Sequence, residues 1–181
     1  MGIEIQLLDS LQKIHTPVLD RVLCLITHLG DSGMIWILLA LVLLVMKRTR
    51  RTGAILAVAL IVDLILCNGI LKNLVARARP FTVNPQIALL IPVPHDFSFP
   101  SGHTAAAFTA VTALYLGKAR ALFKPALVLA ILIAFSRLYL YVHYPTDILG
   151  GIVCGLLCGY AGYRLLPTRQ AGQIMEQRSR P

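Results

Sequence analysis

The sequence predicts an all-α membrane protein, a polytopic bundle of six transmembrane helices with an interfacial amphipathic helix at its N-terminus. Three observations predict this fold class. Of the 181 residues, 57% are hydrophobic and only 14% are charged, which is far more apolar than an average soluble domain. Apolar runs recur along the chain, and basic residues separate several of them in short loops. Because backbone polar groups inside a bilayer must be satisfied within the protein, such runs are expected to form helices packed on helices.

The predicted elements follow in chain order. Residues 3–14 place apolar and polar side chains at helical spacing, which predicts an interfacial amphipathic helix that ends before Pro17. Six apolar segments follow as predicted spans, namely residues 18–29, 34–46, 54–74, 103–116, 123–141 and 146–166. The first is shorter than the roughly 20 residues that a span needs, and it carries Asp20 and Arg21. We still count this segment as a span, because the orientation predicted from the basic loops requires six crossings.

Basic residues predict that orientation. They concentrate in the 47–51 loop, in the 118–124 loop and from residue 164 onward, and short basic loops face the cytoplasm. These positions agree with one another only if six spans exist and both termini are cytoplasmic. Residues 1–166 then form one membrane domain, and the polar, basic residues 167–181 are predicted to be a disordered cytoplasmic tail. The same bias accounts for the net charge of +9, so nucleic acid is not expected as a partner.

The last predicted span contains a run of regularly spaced glycines. Gly151, Gly155 and Gly159 follow one another at four-residue intervals, and small residues at this spacing let helix backbones approach closely. The pattern serves packing inside a bundle at least as often as it serves dimerisation. The sequence therefore leaves both a monomer and a homodimer open.

Three clusters of polar and ionisable residues accompany the apolar segments. They contain Lys72, Arg79 and Pro80; Pro100, Ser101, Gly102 and His103; and Ser136, Arg137, His143 and Asp147. Ionisable groups at membrane depth are costly and therefore rare, so they mark functional sites by default. In the predicted topology all three clusters fall at one membrane face, opposite the basic loops. Three cations, two imidazoles and one carboxylate at that face predict an anion site with proton-transfer groups beside it.

Each cluster also has a simpler interpretation. Arg79 can form two hydrogen bonds to a phosphate with Lys72 beside it, but both cations can instead extend to the membrane interface. Ser101 is a natural N-cap of a helix whose N-terminus binds anions, although an ordinary cap has the same sequence. Asp147 lies four residues after His143 and can orient its imidazole, or the two can form a structural pair. The shared membrane face favours the functional interpretation of all three clusters.

The spacing of these residues resembles the three-part signature of the type 2 phosphatidic acid phosphatase (PAP2) superfamily. Lys72 is followed after six residues by Arg79-Pro80, Pro-Ser-Gly-His occupies positions 100–103, and Ser136-Arg137 is followed after five residues by His143 and after three more by Asp147. Every signature position is present, and the resemblance covers residues 72–147. The six-span layout is also similar to that of the family's small bacterial membrane members.

The resemblance implies a role for each residue. His143 would attack phosphorus to form a phosphohistidine, Asp147 would orient it, and His103 would protonate the leaving oxygen and then activate water. Phosphoryl oxygens would be bound by Lys72, Arg79, Arg137, Ser101 and the Gly102 amide, with Pro80, Pro100 and Ser136 in support. Neither a metal nor another cofactor is implied, and Asp96 and Asp147 are too isolated in the sequence to form a magnesium cluster. Two imidazoles with divided roles predict a bell-shaped pH profile where chemistry limits the rate.

A site at the membrane–water boundary predicts an amphiphilic substrate whose tail stays in lipid. By resemblance, the chain would be a phosphatase of the bacterial inner membrane with its site on the extracytoplasmic face. Undecaprenyl pyrophosphate is the first candidate substrate, and phosphatidylglycerophosphate or phosphatidic acid is the alternative. A non-catalytic binder or transporter of anionic lipids would use the same cations. Transport, however, favours charges spread through the membrane depth or repeated halves, and the sequence has neither pattern.

Overall fold

The computed structural model describes residues 2–166, and this part of the chain is helical without a β-strand. Its α-helices are α1 (Gly2–Gln12), α2 (Pro17–Leu29), α3 (Met34–Val45), α4 (Arg50–Asp63), α5 (Lys72–Val75), α6 (Pro80–Val83), α7 (Gly102–Leu116), α8 (Arg120–Tyr139) and α9 (Pro145–Leu165). A 3₁₀ turn, Asp31–Gly33, joins α2 to α3, and a π-helix, Leu64–Leu71, continues α4 into α5. The predicted all-α class is confirmed. The predicted tail, residues 167–181, lies outside the described residues.

The six predicted spans are confirmed only in part. All six segments are helical, but three helices of the described chain are long and apolar enough to cross a membrane, namely Arg50–Val83, Arg120–Tyr139 and Pro145–Leu165. A fourth candidate is the pair Pro17–Leu29 and Asp31–Val45, which is bent by 43°. Because such a bend leaves the two helices running in broadly the same direction, the pair amounts to one broken span at most. The prediction of two separate crossings there is not supported.

Helix α7 packs mainly against α4, α8 and α9. The glycines of α9 face it directly. A Cβ added at Gly155 would lie 2.6 Å from the Ala105 carbonyl oxygen, and one added at Gly159 would lie 2.4 Å from Cβ of Thr112. The four-residue glycine spacing therefore allows α9 to approach α7 inside the bundle, which leaves the choice between monomer and homodimer open.

The N-terminal helix lies at the end of the bundle that carries the signature clusters. Glu4 of α1 accepts a hydrogen bond from Arg77 at 2.8 Å. Helix α9 finishes at the opposite end, where the Arg51 guanidinium at the start of α4 lies over the Tyr163 ring. The described chain thus begins and ends at opposite ends of the bundle. This arrangement does not support the prediction that both termini share one face, because α2 and α3 together supply one candidate crossing.

Local sequence fixes how two of the site-bearing segments are built. Pro145 occupies the first turn of α9, and the Asp147 carboxylate accepts a hydrogen bond from the Tyr144 N–H at 2.8 Å, forming a capping box. Upstream of Lys72, the π-helix Leu64–Leu71 widens the helix, and such turns frequently occur at functional sites. Both features place signature residues at the same end of the bundle.

Candidate active site

Two adjoining cavities lie where the three signature clusters meet. We call the smaller one, of about 250 Å³, the cationic cavity, and the larger one, of about 390 Å³, the side cavity. The signature residues that line the cationic cavity are Lys72, Arg79, Gly102, His103, Arg137 and His143. The residues shared with the side cavity are Lys72, Asp96, Gly102 and His103. The structure thus brings residues from all three clusters around one space.

His143 lies in the wall of the cationic cavity with only 1% of its side chain exposed. Its Nε2 is 3.2 Å from Nη1 of Arg79. A guanidinium can only donate hydrogen bonds, so Nε2 is the acceptor and the ring proton belongs on Nδ1. Burial lowers the pKa of His143 to about 3, and the neighbouring charges of Arg79 and Arg137 act in the same direction. A neutral imidazole with its Nε2 lone pair among cations has the form that a nucleophile requires.

Asp147 is completely buried and organises the segment around His143. Its Oδ2 lies 3.5 Å from His143 Nδ1, which is longer than a hydrogen bond. That oxygen accepts from the Ser98 hydroxyl at 2.5 Å and from the Tyr144 N–H at 2.8 Å, while Oδ1 accepts from Arg77 at 2.6 Å. Among the described residues, Nδ1 of His143 has no hydrogen-bond partner. Asp147 thus lies opposite the ring proton without a hydrogen bond to it, and its role in orienting His143 stays a prediction.

Lys72 and Arg79 share a carboxylate, Asp96, that looks isolated in the sequence. The Lys72 ammonium contacts its Oδ2, and Arg79 donates to its Oδ1 at 2.6 Å and to its backbone carbonyl at 2.8 Å. Partial burial raises the pKa of Asp96, but the hydrogen bonds and charges of Lys72 and Arg79 outweigh it and lower the pKa to about 2. From the sequence alone Asp96 has no part in the site, whereas the structure pairs it with two signature cations. Two of the three predicted phosphate-binding cations already bind an anionic oxygen.

Arg137 reaches the cationic cavity from α8 and is 3% exposed. Its Nη1 donates to the Thr27 hydroxyl at 2.5 Å. Within residues 2–166 its buried Nε has no acceptor, and no carboxylate forms an ion pair with it. A buried guanidinium without a counter-charge is costly. It therefore favours an anion in the cavity that it lines.

His103 occupies the boundary between the two cavities. Its Nε2 is 2.8 Å from Oδ1 of Asp31 in the 3₁₀ turn, and the other Asp31 oxygen is 2.9 Å from Nδ1 of His28. The Asp31 carboxylate fixes the orientation of the His103 ring. Its negative charge lies within ion-pair distance of the ring and favours the protonated imidazole. His103 is thus held where it can give a proton to, or take one from, a molecule that occupies both cavities.

Ser101 and Gly102 open α7 as predicted, but they differ in their surroundings. The Ser101 hydroxyl accepts a hydrogen bond from Thr104 at 3.0 Å, and Ser101 is completely buried and lines neither cavity. Gly102 lines both cavities, and a Cβ added there would lie 2.7 Å from Oδ1 of Asn68. Gly102 therefore allows α7 to approach the π-helix closely. The predicted contact of Ser101 with phosphate stays a prediction.

The three predicted supporting residues surround the site without lining it. Pro80 is buried at the first position of α6, directly after Arg79. Pro100 is buried directly before Ser101. Ser136 donates its hydroxyl hydrogen to the Ile133 carbonyl at 2.7 Å within α8. These contacts shape the backbone next to the signature residues.

Residues outside the signature hold several signature side chains. These partners are Asp96 with Lys72 and Arg79, Asp31 with His103, Thr27 with Arg137, and Ser98 and Arg77 with Asp147. The sequence does not predict Asp96, Asp31, Thr27 and Ser98 as site residues. It does single out Arg77, as a cation that breaks the positive-inside pattern and is expected to bind an anionic headgroup, and the structure instead pairs Arg77 with Asp147. A weak signal existed, because Asp31 is an acidic residue in a glycine-bounded turn between two apolar segments. No spacing rule connects such a residue to a partner 72 positions away.

The side cavity has apolar walls and a buried acid. Its apolar lining is Ile37, Leu60, Leu64 and Ala106. Ile37 and Leu64 are also 47% and 62% exposed, so the cavity wall continues onto the apolar outer surface of the bundle. Asp63 lines the cavity too, and within the described chain its buried Oδ1 has no hydrogen-bond partner. The cationic cavity therefore continues into a space that suits the apolar part of an amphiphile.

The arrangement suits in-line transfer of a phosphoryl group. His143 lines only the cationic cavity, whereas His103 also lines the side cavity. A phosphate held by the cations would therefore have a nucleophile on one side and a proton donor on the side of the leaving group, which the side cavity can accommodate. Among the described residues, no group of three or more His, Cys, Asp or Glu is arranged to hold a metal ion.

Comparison with known proteins agrees with this geometry. A family model described as the PAP2 superfamily matches residues 52–171. An undecaprenyl-diphosphatase of Sulfolobus acidocaldarius is 30% identical over 169 residues, which cover 93% of this chain and 81% of that protein. Two crystal structures are each 29% identical: a transmembrane PAP2 type phosphatidylglycerolphosphate phosphatase from Bacillus subtilis (TM-score 0.72, covering 91% of this chain and 84% of that one) and Aquifex aeolicus LpxE (TM-score 0.79, 91% and 96%). The chain therefore belongs to the PAP2 superfamily and is a phosphatase, as the spacing of its signature residues predicted.

Proposed function

We propose that this protein is a metal-independent lipid phosphatase of a bacterial plasma membrane, which hydrolyses undecaprenyl pyrophosphate to undecaprenyl phosphate through a phosphohistidine at His143. In this proposal the site faces the extracytoplasmic side and the basic loops face the cytoplasm. One observation carries the choice of a lipid: the cationic cavity joins a side cavity whose apolar wall continues onto the outer surface of the bundle. A soluble phosphate ester has no need of such an opening, whereas a lipid phosphate needs both spaces.

In the first step, the Nε2 lone pair of His143 forms a bond to the terminal phosphorus as the bond from that phosphorus to the oxygen bridging the two phosphates breaks, and that oxygen leaves with the lipid monophosphate. His103 donates a proton to the departing oxygen. Arg137, with Lys72 and Arg79, neutralises charge on the non-bridging oxygens, and fixed donors in a buried cavity do so without reorganising. Asp147 faces the ring proton of His143 at 3.5 Å and stabilises the positive charge that the imidazole acquires.

In the second step, water attacks the phosphorus of the phosphohistidine. His103, now neutral, accepts a proton from that water as the bond between nitrogen and phosphorus breaks. The electron pair of that bond returns to Nε2 of His143, and inorganic phosphate leaves. Both imidazoles are then restored to their starting states.

Undecaprenyl pyrophosphate is the first candidate substrate. The Sulfolobus relative is named for activity on this lipid and aligns with 93% of the chain. Its leaving group would be a lipid monophosphate, whose own charge would lie near the boundary between the two cavities. Lys72 lines both cavities and can neutralise that charge.

A glycerolipid phosphate, such as phosphatidylglycerophosphate or phosphatidic acid, is the second candidate. One observation favours it, because Asp63 places a carboxyl oxygen without a hydrogen-bond partner among the described residues in the side cavity. The leaving group of phosphatidylglycerophosphate carries a free glycerol hydroxyl that can pair with this oxygen, whereas an isoprenoid chain does not. The Bacillus protein of known structure is a phosphatase of that lipid.

A comparison of lipids tests the proposal. Purified protein in detergent, with a chelator and no added metal, would be given each of the three lipids, and released phosphate would be measured. We expect release, with the highest kcat/KM for undecaprenyl pyrophosphate. A higher value for a glycerolipid phosphate selects the second candidate. No release from any of the lipids by folded protein would contradict a phosphatase of these substrates.

Two variants distinguish catalysis from mere binding of anionic lipids. We expect His143→Ala to lose at least about 10³-fold in kcat because the nucleophile is gone. His95→Ala is the matched control, since His95 is exposed and lines neither cavity, and it should retain wild-type turnover. Retained turnover in His143→Ala would rule out the phosphohistidine. A protein that binds lipid phosphates with no turnover in the wild type would be the binder.

A further inference from the structure

Helix α1 contacts the catalytic segment through two carboxylates. Oε2 of Glu4 accepts from Nη2 of Arg77 at 2.8 Å, and Oε1 accepts from the hydroxyl and N–H of Thr146 at 2.7 and 3.1 Å. Farther along the helix, Asp9 accepts from the Tyr141 hydroxyl at 2.7 Å. Neither carboxylate belongs to the signature. Glu4 contacts Thr146, the residue next to Asp147, whereas Asp9 contacts Tyr141, which lines neither cavity.

Arg77 connects Glu4 to the catalytic carboxylate. Its Nη1 donates to Oδ1 of Asp147 at 2.6 Å and to the Thr146 hydroxyl at 2.6 Å, and its guanidinium lies 3.9 Å above the Tyr144 ring. Arg77 is thus held by the side chains of four residues. An arginine fixed in this way can transmit the position of α1 to Asp147, because a planar guanidinium has few alternative ways to satisfy its donors.

Glu4 is ionised under ordinary conditions. Partial burial raises the pKa of Glu4, but its hydrogen bonds to Thr146 and Arg77 outweigh this effect and lower the pKa. The charges therefore alternate along the chain of contacts, from Glu4 to Arg77 to Asp147. Without the Glu4 carboxylate, Arg77 would be free to turn fully toward Asp147 and to draw that carboxylate away from the imidazole.

We infer that Glu4 and Arg77 are positioning residues that hold Asp147 in place opposite Nδ1 of His143. The separation of 3.5 Å between Asp147 Oδ2 and His143 Nδ1 leaves little margin, since a shift of a few tenths of an ångström decides whether a hydrogen bond forms. This inference rests on the proposed function, because it gives His143 the role of nucleophile. It gives the first helix a part in a reaction at residues that follow about 140 positions later in the sequence.

The test compares two carboxamide variants of α1. Glu4→Gln removes the charge that restrains Arg77, whereas Asp9→Asn removes a carboxylate of the same helix that contacts Tyr141 and not Arg77. We expect Glu4→Gln to lower kcat about tenfold with KM within twofold, because misplacing a catalytic group by a fraction of an ångström costs this much or more. Asp9→Asn should stay within twofold in both constants. Glu4→Asp should recover part of the loss.

Further measurements separate positioning from a structural role. The thermal unfolding temperature in detergent should be the same for Glu4→Gln and Asp9→Asn, and Arg77→Gln should lose more kcat than Glu4→Gln. Equal activity of the two carboxamide variants, or a loss confined to KM or to stability, would overturn the inference. If Arg77→Gln fails to fold, the comparison of kcat between Glu4→Gln and Asp9→Asn still tests the inference. Wild-type turnover is measured first, since its absence counts against the proposed function instead.

Discussion

Two regions of the molecule meet at the cationic cavity, and they contribute differently to it. Residues 72–147 supply the cations, both imidazoles and the start of α7 that line the cavity. Residues 2–33 supply Thr27 and Asp31, which hold Arg137 and His103 and also line the cavity, and Glu4, which holds Arg77 outside it. The first region supplies the cations that face the substrate, while the second supplies contacts that fix where those groups lie.

The two regions are expected to differ in how strongly a substitution lowers activity. Groups that contact the phosphoryl oxygens act on the transition state directly, so their loss removes stabilisation that nothing else supplies. Groups that hold them act through geometry, and a neighbouring contact can replace part of that restraint. We therefore expect large losses of activity from substitutions in residues 72–147 and smaller ones from substitutions in residues 2–33.

Arg137→Gln should give the largest effect among the variants that test this comparison. Arg137 is the buried cation with no ion pair among the described residues, so its whole charge is available to the substrate. We expect kcat/KM to fall about 100-fold, as when a fixed donor to a transition state is removed. Steady-state phosphate release measures this, with Arg164→Gln as control because Arg164 contacts Tyr160 far from the site. A fall of less than about threefold would contradict the assigned role.

Asp31→Asn should have a smaller effect. The amide keeps the shape of the side chain but removes the charge that faces His103, so we expect kcat to fall about tenfold, well below the loss expected for a general acid itself. The matched control is Asp20→Asn, because Asp20 lies in α2 and contacts Tyr139 and His15 instead. A loss as large as that of Arg137→Gln would break the proposed division between the two regions.

Acid stability is expected to depend on His143, an effect measured without activity and without comparing the two regions. The pKa of His143 is about 3 in the folded protein against an ordinary value of 6.5, so protonation favours the unfolded chain. The stability that neutral His143 contributes is therefore complete above about pH 6.5 and is lost progressively as the pH falls toward about 3. The thermal unfolding temperature in detergent should fall as the pH is lowered across this range. The fall should be less steep in His143→Asn than in His95→Asn. Identical slopes would contradict a buried, neutral His143.

The sequence predicts the site residues better than it predicts the N-terminal path of the chain. Signature spacing identifies His143 and Arg79 although they lie 64 positions apart, because each cluster sits next to an apolar segment whose end the sequence marks. The bend at Gly30 is not visible in the same way. Hydropathy measures length and composition, and it cannot tell whether two short apolar helices run together or cross the membrane separately.

The partners of the signature residues escape prediction for a related reason. Asp96 contacts Lys72 because the loop before Pro100 brings this carboxylate to the start of α5. Glu4 contacts Thr146 across 142 positions because α1 packs against the start of α9. No local sequence pattern predicts such contacts, because they depend on how whole helices pack together. The structure is needed to find which polar residues hold the site.

Trapping the phosphoenzyme tests whether His143 is the nucleophile. Protein would be mixed with undecaprenyl pyrophosphate radiolabelled in its terminal phosphate, quenched in alkali within one turnover and mapped by peptide sequencing. If His143 is the nucleophile, label is expected on the peptide that contains His143 and none in His143→Asn. Lipid monophosphate formed without any labelled protein, or label on another residue, would show that His143 is not the nucleophile.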